Sequence, residues 1–470
     1  MNELIRLTAH EAVSLLRKRE VSPLELIEVA AIRIAEVEPA VNALPTLCLE
    51  RARDRAKRLM AHPPKDPPSQ YLYGLPIAIK DLTDVKGVRT TYGSTIFSDH
   101  LPDRSDYLVE ILEANGAIVI GKSNTPEFGA GGNTFNEVFG QTLNPWNTKM
   151  TCGGSSGGAA VALATGEVWL AAGSDLAGSL RTPASYCSVV GLRPGPGRVP
   201  SGPNQLLFDT LGVQGPMARN VADVAMMLDA QVGYHPGDPI SLPPPPNSYH
   251  EAAVHPEKPK RVGFSTDLGI APVDREVREI CTRAMKSWSA LGVGVEQACP
   301  DMTPAEEIFQ TLRAYYFSSR LGPLLQNHRD QLKPEIIWNI EKGFALTADA
   351  ISRAEQMRAK LYYETLDYFR TYDLLLCPTV VAPPFDVNIR YLEELEDITF
   401  DTYLSWLILA FPSTLTACPS ISVPCGFTAS GLPVGIQIVG PPRREDRVLS
   451  AAAIFEGENR LPIETPIDPR

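Results

Sequence analysis

Three segments of the 470-residue chain hold residue types that can do chemistry together. The first is Pro76-Ile77-Ala78-Ile79-Lys80, a short apolar run ending on a lysine that Asp81 follows. A lysine at a strand end is ordinarily a solvated cap. Here the preceding residues read as fully buried, and burial disfavours the ammonium form and lowers the pKa. A neutral lysine can accept a proton at pH 7. The second segment is Cys152-Gly153-Gly154-Ser155-Ser156-Gly157-Gly158. Glycines around paired serines let backbone pass close to another group. A flexible linker is the plain alternative, but Ala159–Ala164 continues at once as an apolar, helix-ready run. A phosphate-cradling loop would need a lysine after its last glycine, and none is there. The third segment is GSDLAGSLRTP, residues 173–183. A serine after small residues can sit on a tight turn with its hydroxyl exposed. Successive N–H groups there can converge on one oxygen, which is what an oxyanion hole requires. The alternative is a strand-to-turn junction around a buried arginine.

These segments need a frame to bring them together. Thr8 with Glu11 and Ser22 with Glu25 each fit a capping box, and Pro23 suits a first helical position. Two amphipathic helices, about 9–19 and 23–37, are expected as a packed hairpin. Residues 76–79 predict a buried strand ending at Lys80, 104–115 a helix and 117–120 another strand. Alternation of strand and helix predicts an α/β sheet covered on both faces. Residues 235–260 are rich in proline and read as an exposed connection without a core of its own. Later strands are expected at 261–265, 374–376, 421–423 and 436–439, with a helix at 274–291. Residues 303–370 look helical and aromatic. The organisation predicted is one large α/β domain over residues 1–470. It has an N-terminal helical region (1–70), a core holding the three segments (74–220) and a semi-independent helical cover (303–400).

Composition narrows the function. The formal net charge of -12 argues against nucleic-acid binding, which needs a basic face, and disfavours an anionic membrane surface. No run of about 20 apolar residues predicts a membrane span. The start MNELIRLTAHEAVSLL carries no signal-peptide core, because His10 and Glu11 interrupt it. The eight cysteines form no CxxC pair and the seven histidines no HExxH spacing, so neither a zinc site nor a disulfide framework is expected. A reduced cytoplasm is the plain reading.

Taken together, GLPIAIKD, SNTPEFG with NPWN, GGSSGG and GSLRTPASYCSVVGLRP resemble the amidase signature family. The resemblance runs from about residue 5 to 460 and is densest over 74–195. Ser155 and Ser179 are 24 positions apart, the family's spacing. The resemblance implies a single α/β domain with a twisted, mixed central sheet covered by helices. It implies Lys80 as catalytic lysine, Ser155 as bridging serine after a cis Gly154–Ser155 peptide, and Ser179 as nucleophile. By the same resemblance the N–H groups of Leu176, Ala177, Gly178 and Ser179 form the oxyanion hole, and Gly129 contacts the substrate. The activity implied is hydrolysis of a carboxylic amide through an acyl-enzyme, without metal or organic cofactor. The partners expected are a small amide and water, with a homodimer as the assembly; esters and carbamates stay open as substrates.

The chain departs from the family at two places. Ala177 stands where the family usually has glycine; at φ > 0 it would cost about 1 kcal/mol, and its methyl would narrow the pocket. Thr416-Ala417-Cys418-Pro419 replaces a family Thr-Gly-x-Pro and reads as repacking. Three rival readings remain. One is the glutamine-amidase subunit of a tRNA-dependent amidotransferase, although residues 314–320 do not resemble that subgroup's glutamine-recognition region. Another is an inactive binding homologue. The third is a cysteine nucleophile, Cys152 or Cys187, which lacks a neighbouring histidine in sequence. Aromatic residues of the cover (Trp338, Tyr362, Tyr363, Phe369) could read substrate or fill core.

Overall fold

The computed structural model describes residues 1–203 and 205–470. The strands in chain order are β1 (Thr46–Leu47), β2 (Pro76–Lys80), β3 (Ile118–Ser123), β4 (Phe135–Asn136), β5 (Gly140–Gln141), β6 (Leu170–Asp175), β7 (Val190–Arg193), β8 (Val213–Ala218), β9 (Arg261–Phe264), β10 (Gly294–Gln297), β11 (Leu374–Pro378), β12 (Glu394–Leu395), β13 (Ile398–Thr399), β14 (Ser420–Phe427) and β15 (Pro433–Val439). Eleven of them make one sheet in the order β1-β3-β2-β6-β8-β7-β14-β15-β11-β9-β10. The sheet is mixed. β2 runs parallel to both β3 and β6, and β9 runs parallel to both β10 and β11. The central strands pair antiparallel. This is a single α/β domain with helices packed on the sheet.

Local sequence explains the parts that carry the site. β2 and β3 are buried along their whole length, as strands covered on both faces must be, and they read as apolar runs without alternation. The helix Gly157–Thr165 has no polar stripe and is buried at every position, so it lies inside the molecule. Both predicted capping boxes are formed, at Thr8/Glu11 and Ser22/Glu25.

The helical hairpin is not how those helices pack. Helix Ala9–Lys18 rests chiefly on Val221–Gln231, whose Asp223 accepts the N–H groups of Ala9 and His10 at 2.8 and 2.9 Å. Helix Pro23–Val41 runs past Pro39 and packs instead on Leu49–Ala61. A carboxylate more than 200 residues away thus sets the first contact, which local periodicity cannot encode. The proline-rich connection is also less bare than expected. It contains the helix Tyr249–Val254, with Tyr249 and Ala253 buried against the helices Val221–Gln231 and Glu445–Glu458. The cover consists of Ala305–His328, Pro334–Phe344 and Ala348–Tyr368. A small apolar cluster of its own (Phe317, Leu332, Ile336, Ile340) reaches down to Ala130 in the glycine-rich core.

Candidate active site

Lys80 closes β2, between β3 and β6, so neighbouring strands enclose its side chain and leave it fully buried. Its Nζ donates to three hydroxyl oxygens: Ser155 Oγ at 2.7 Å, Ser156 Oγ at 2.9 Å and Ser174 Oγ at 3.1 Å. Burial lowers its pKa to about 7, while the carboxylate of Asp175 pulls the other way. The amine can therefore lose its proton near neutral pH. Ser155 follows a cis Gly154–Ser155 peptide, and both serines precede the buried helix Gly157–Thr165. The glycines have the role expected of them. A Cβ at Gly158 would stand 2.3 Å from the backbone nitrogen of Asn124 and 2.5 Å from Ala43 O, so only glycine lets the helix start sit there.

The turn after β6 is organised around Asp175. Its buried carboxylate accepts the N–H groups of Gly178 (3.0 Å) and Leu180 (3.1 Å). It also accepts Arg181 Nε and Nη2 (3.0 and 2.9 Å) and Arg193 Nη1 (3.2 Å). Burial alone would raise the Asp175 pKa, but the guanidinium of Arg181, with Arg193, holds it well below the usual carboxylate range. Arg181 is thus buried, as the structural reading of this segment had it, while Ser179 beside it opens onto a cavity. The same bonds correct one expectation. The Gly178 N–H is committed to Asp175, which leaves those of Leu176, Ala177 and Ser179 as the candidate donors to an oxyanion. Gly178 is also the residue of this turn that adopts φ > 0 (+94°), and a Cβ there would lie 2.8 Å from Ala410 Cβ. Ala177 is outside that region and carries no such strain.

Ser155, Ser174, Leu176, Ala177, Ser179 and Gly129 line one cavity of ≈ 420 Å³, with Lys80 beneath Ser155. The Ser156 N–H donates to Ser179 O at 3.1 Å and ties the two serine loops together. Gly129 lies against Ser155: a Cβ on it would stand 3.3 Å from Ser155 Oγ. The Amidase family model matches residues 25–449. The chain belongs to the amidase signature family. It is an amide hydrolase. It is 34% identical to the acylamidase of Rhodococcus erythropolis over 98% of this chain and 97% of that one. It is 36% identical to a glutamyl-tRNA(Gln) amidotransferase subunit of Geobacillus stearothermophilus over 95% and 96%. A bacterial aryl acylamidase of the amidase signature family superposes with a TM-score of 0.89 at 26% identity, covering 96% of each chain. The corresponding amidotransferase subunit of Thermotoga maritima superposes with 0.77 at 26% identity, covering 99% of each.

The rest of the amidase cavity is built from residues that the sequence did not single out. Leu82, Phe128, Val199, Leu404 and Leu407 form apolar wall. The cover contributes Arg313, Tyr316, Phe317 and Arg320, the i, i+3, i+4, i+7 face of the helix Ala305–His328. Trp338, Tyr362, Tyr363 and Phe369 do not line it; Trp338 and Tyr363 are exposed to solvent. Cys152 and Cys187 are buried away from the cavity. Burial pushes the Cys152 thiol up to about 12 and Cys187 well above its ordinary value, so neither is a thiolate nucleophile. Ser156 and Ser174, which complete the Lys80 environment, lie in the segments singled out from sequence but were given no role there. Ser174 stands within the third segment, on β6, the strand that pairs directly with β2. The second departure from the family also changes meaning: Ala417 adopts φ +55°, at the end of the helix Phe411–Leu415.

Proposed function

We propose that this amidase is a free-standing acylamidase working through Lys80, Ser155 and Ser179. The observation that carries the reading is the buried 2.7 Å contact between Lys80 Nζ and Ser155 Oγ, in a cavity that Ser179 shares. Neutral Lys80 takes the proton of Ser155, and Ser155 takes that of Ser179. The Ser179 oxygen adds to the amide carbon. The resulting oxyanion is held by the N–H groups of Leu176, Ala177 and Ser179, and fixed donors of this kind are usually the largest catalytic contribution. As the C–N bond breaks, the proton returns through Ser155 to the leaving nitrogen, and an amine departs. Water then adds to the acyl group on Ser179, gives up a proton along the same path and releases the acid. The leucines and Phe128 of the wall suit an apolar acyl or aryl group. Eight unpaired cysteines fit a reducing compartment, the cytoplasm, and a homodimer is the assembly we expect.

A fluorophosphonate probe tests the nucleophile. Mass mapping should find the adduct on Ser179, absent in Ser179→Ala; an adduct on Ser155 or Ser156 would overturn the roles. The 36% identity to an amidotransferase subunit favours a second reading, a glutaminase working with partner subunits. The better superposition on the aryl acylamidase weighs against it. Release of 4-nitroaniline from acyl anilides by the isolated chain, with no turnover of glutamine, decides for the first.

A further inference from the structure

Five arginines are buried among the described residues: Arg33, Arg181, Arg193, Arg198 and Arg313. Four of them meet carboxylates. Arg33 pairs with Glu36 and Asp468, Arg181 and Arg193 share Asp175, and Arg198 faces Glu445. Arg313 is 2% exposed and has no carboxylate within ion-pair distance among the described residues. A buried guanidinium without a counter-charge is costly, and such groups ordinarily find an anion. This one forms part of the wall of the cavity that contains Ser155 and Ser179.

Its surroundings hold it still without neutralising it. Nη1 donates to the side-chain oxygen of Asn339, and Asn339 is fixed in turn by donating to Glu335 O and to the Tyr403 hydroxyl. The guanidinium lies over the Phe317 ring at 4.1 Å and near that of Tyr403 at 5.5 Å. Nε is buried and makes no hydrogen bond to the protein. Two turns further along the helix, Arg320 lines the same cavity, its guanidinium 5.0 Å from the centre of the Tyr316 ring. A rigid planar fork with donors to spare matches a carboxylate.

We propose that Arg313 is the anchor for a carboxylate on the substrate, so that the preferred substrates are amides bearing a free carboxylate at some remove from the scissile bond. The inference rests on the acylamidase reading, because it assigns the far end of that same cavity. The missing counter-charge of Arg313 is then supplied by the substrate. Arg320 adds positive charge on the same side, tempered by Asp209, which lines the cavity near it.

Matched anilides test this: glutaric acid mono-4-nitroanilide against its methyl ester for a carboxylate on the acyl side, and 4-acetamidobenzoate, which releases 4-aminobenzoate, against its methyl ester for the amine side. Wild type should favour at least one acid over its ester by roughly 10–100-fold in kcat/KM, the worth of a charged hydrogen-bonded pair. Arg313→Met should erase that ratio, mostly through KM, and Arg313→Lys should restore only part of it. Should the Met variant melt below assay temperature, the Lys variant alone decides, with at least a tenfold loss of preference expected. A ratio near one in wild type, or one unchanged in the variants, would overturn the assignment while leaving amide hydrolysis intact. If no anilide turns over, calorimetry of glutarate and acetamidobenzoate with Ser179→Ala separates the two claims. Binding that disappears in Ser179→Ala/Arg313→Met sustains the anchor, and absence of binding refutes it.

Discussion

Replacing Lys80 by methionine removes the ionisable group while keeping most of the volume. The interior lowers the lysine from 10.5 to about 7. The folded chain therefore sheds a proton that the unfolded chain keeps until well above pH 9. Stability must rise with pH wherever the unfolded state binds more protons, at ~1.4 kcal/mol per proton per pH unit. Between pH 7 and 9 the folded amine passes from half protonated to almost fully neutral, so wild type should gain about 2 kcal/mol from this group. Below pH 7 both states hold the proton and the contribution levels off at its most unfavourable. Lys80→Met lacks the rise. Urea unfolding followed by tryptophan fluorescence, run on both proteins at pH 6, 7, 8 and 9, measures the difference. The unsatisfied hydroxyls that methionine leaves shift its curve by a constant and do not imitate a slope. In parallel, wild-type kcat/KM should climb about tenfold per pH unit below 7 and flatten above 8, because the base must be neutral. Two stability curves that run parallel from pH 7 to 9 would mean that Lys80 stays an ammonium in the fold, and the proton relay would fail with it.

Three further outcomes follow from the same geometry. Asp175→Asn leaves Arg181 and Arg193 buried without a counter-charge and should cost about 3 kcal/mol or more in a guanidinium melt; a loss under ~1 kcal/mol would show that the cluster relaxes into neutrality. Ala417 takes the left-handed position just past the Phe411–Leu415 helix, with the Cys418 N–H bonded back to Ser413 O, so Ala417→Gly should stabilise by ~0.5–1 kcal/mol. A drop in stability would refute that account. Ala177→Gly relieves no strain and only widens the cavity by a methyl, so it should raise the bulky-to-small acyl ratio in kcat/KM roughly tenfold or more. An unchanged ratio would mean the methyl merely packs.

Lys80, Ser155 and Ser179 were legible because each sits in a pattern with a strong local cause. An apolar run must be buried, and glycines beside serines mark close backbone approach. What remained hidden depends on contacts between distant positions. The run Leu176-Ala177-Gly178 does not by itself reveal the hydrogen bonding of the turn; the carboxylate of Asp175 sets it by capturing the Gly178 N–H. The family departure at 177 therefore drew attention to strain that resides at Ala417. Helix 9–18 was legible to its capping box, yet its partner is fixed by Asp223. The cover's aromatic candidates Trp338, Tyr362, Tyr363 and Phe369 do not line the cavity and Phe317 does, because that depends on which face of a long helix lies over it. Arg313 was unreadable for the same reason: an arginine on an amphipathic helix is ordinarily solvated, and nothing local announces a buried one.

Asp175 links the two ends of the proposed relay, Ser179 and Lys80. As a lone buried carboxylate it would favour the charged form of Lys80, which is how it acts on the lysine pKa, and a permanently protonated Lys80 could not start the relay. Two guanidinium groups against one carboxylate turn the cluster from negative to net positive. Its pull on the Lys80 proton is then weak enough for burial to prevail. The same two lone-pair-bearing oxygens that hold the arginines also bind the N–H groups of Gly178 and Leu180, and so bend the chain around Ser179. The arrangement couples two requirements that could have been met separately. The turn that exposes the hydroxyl is anchored on a charge that must exist, and that charge is compensated locally so that the lysine on the adjacent strand can become neutral.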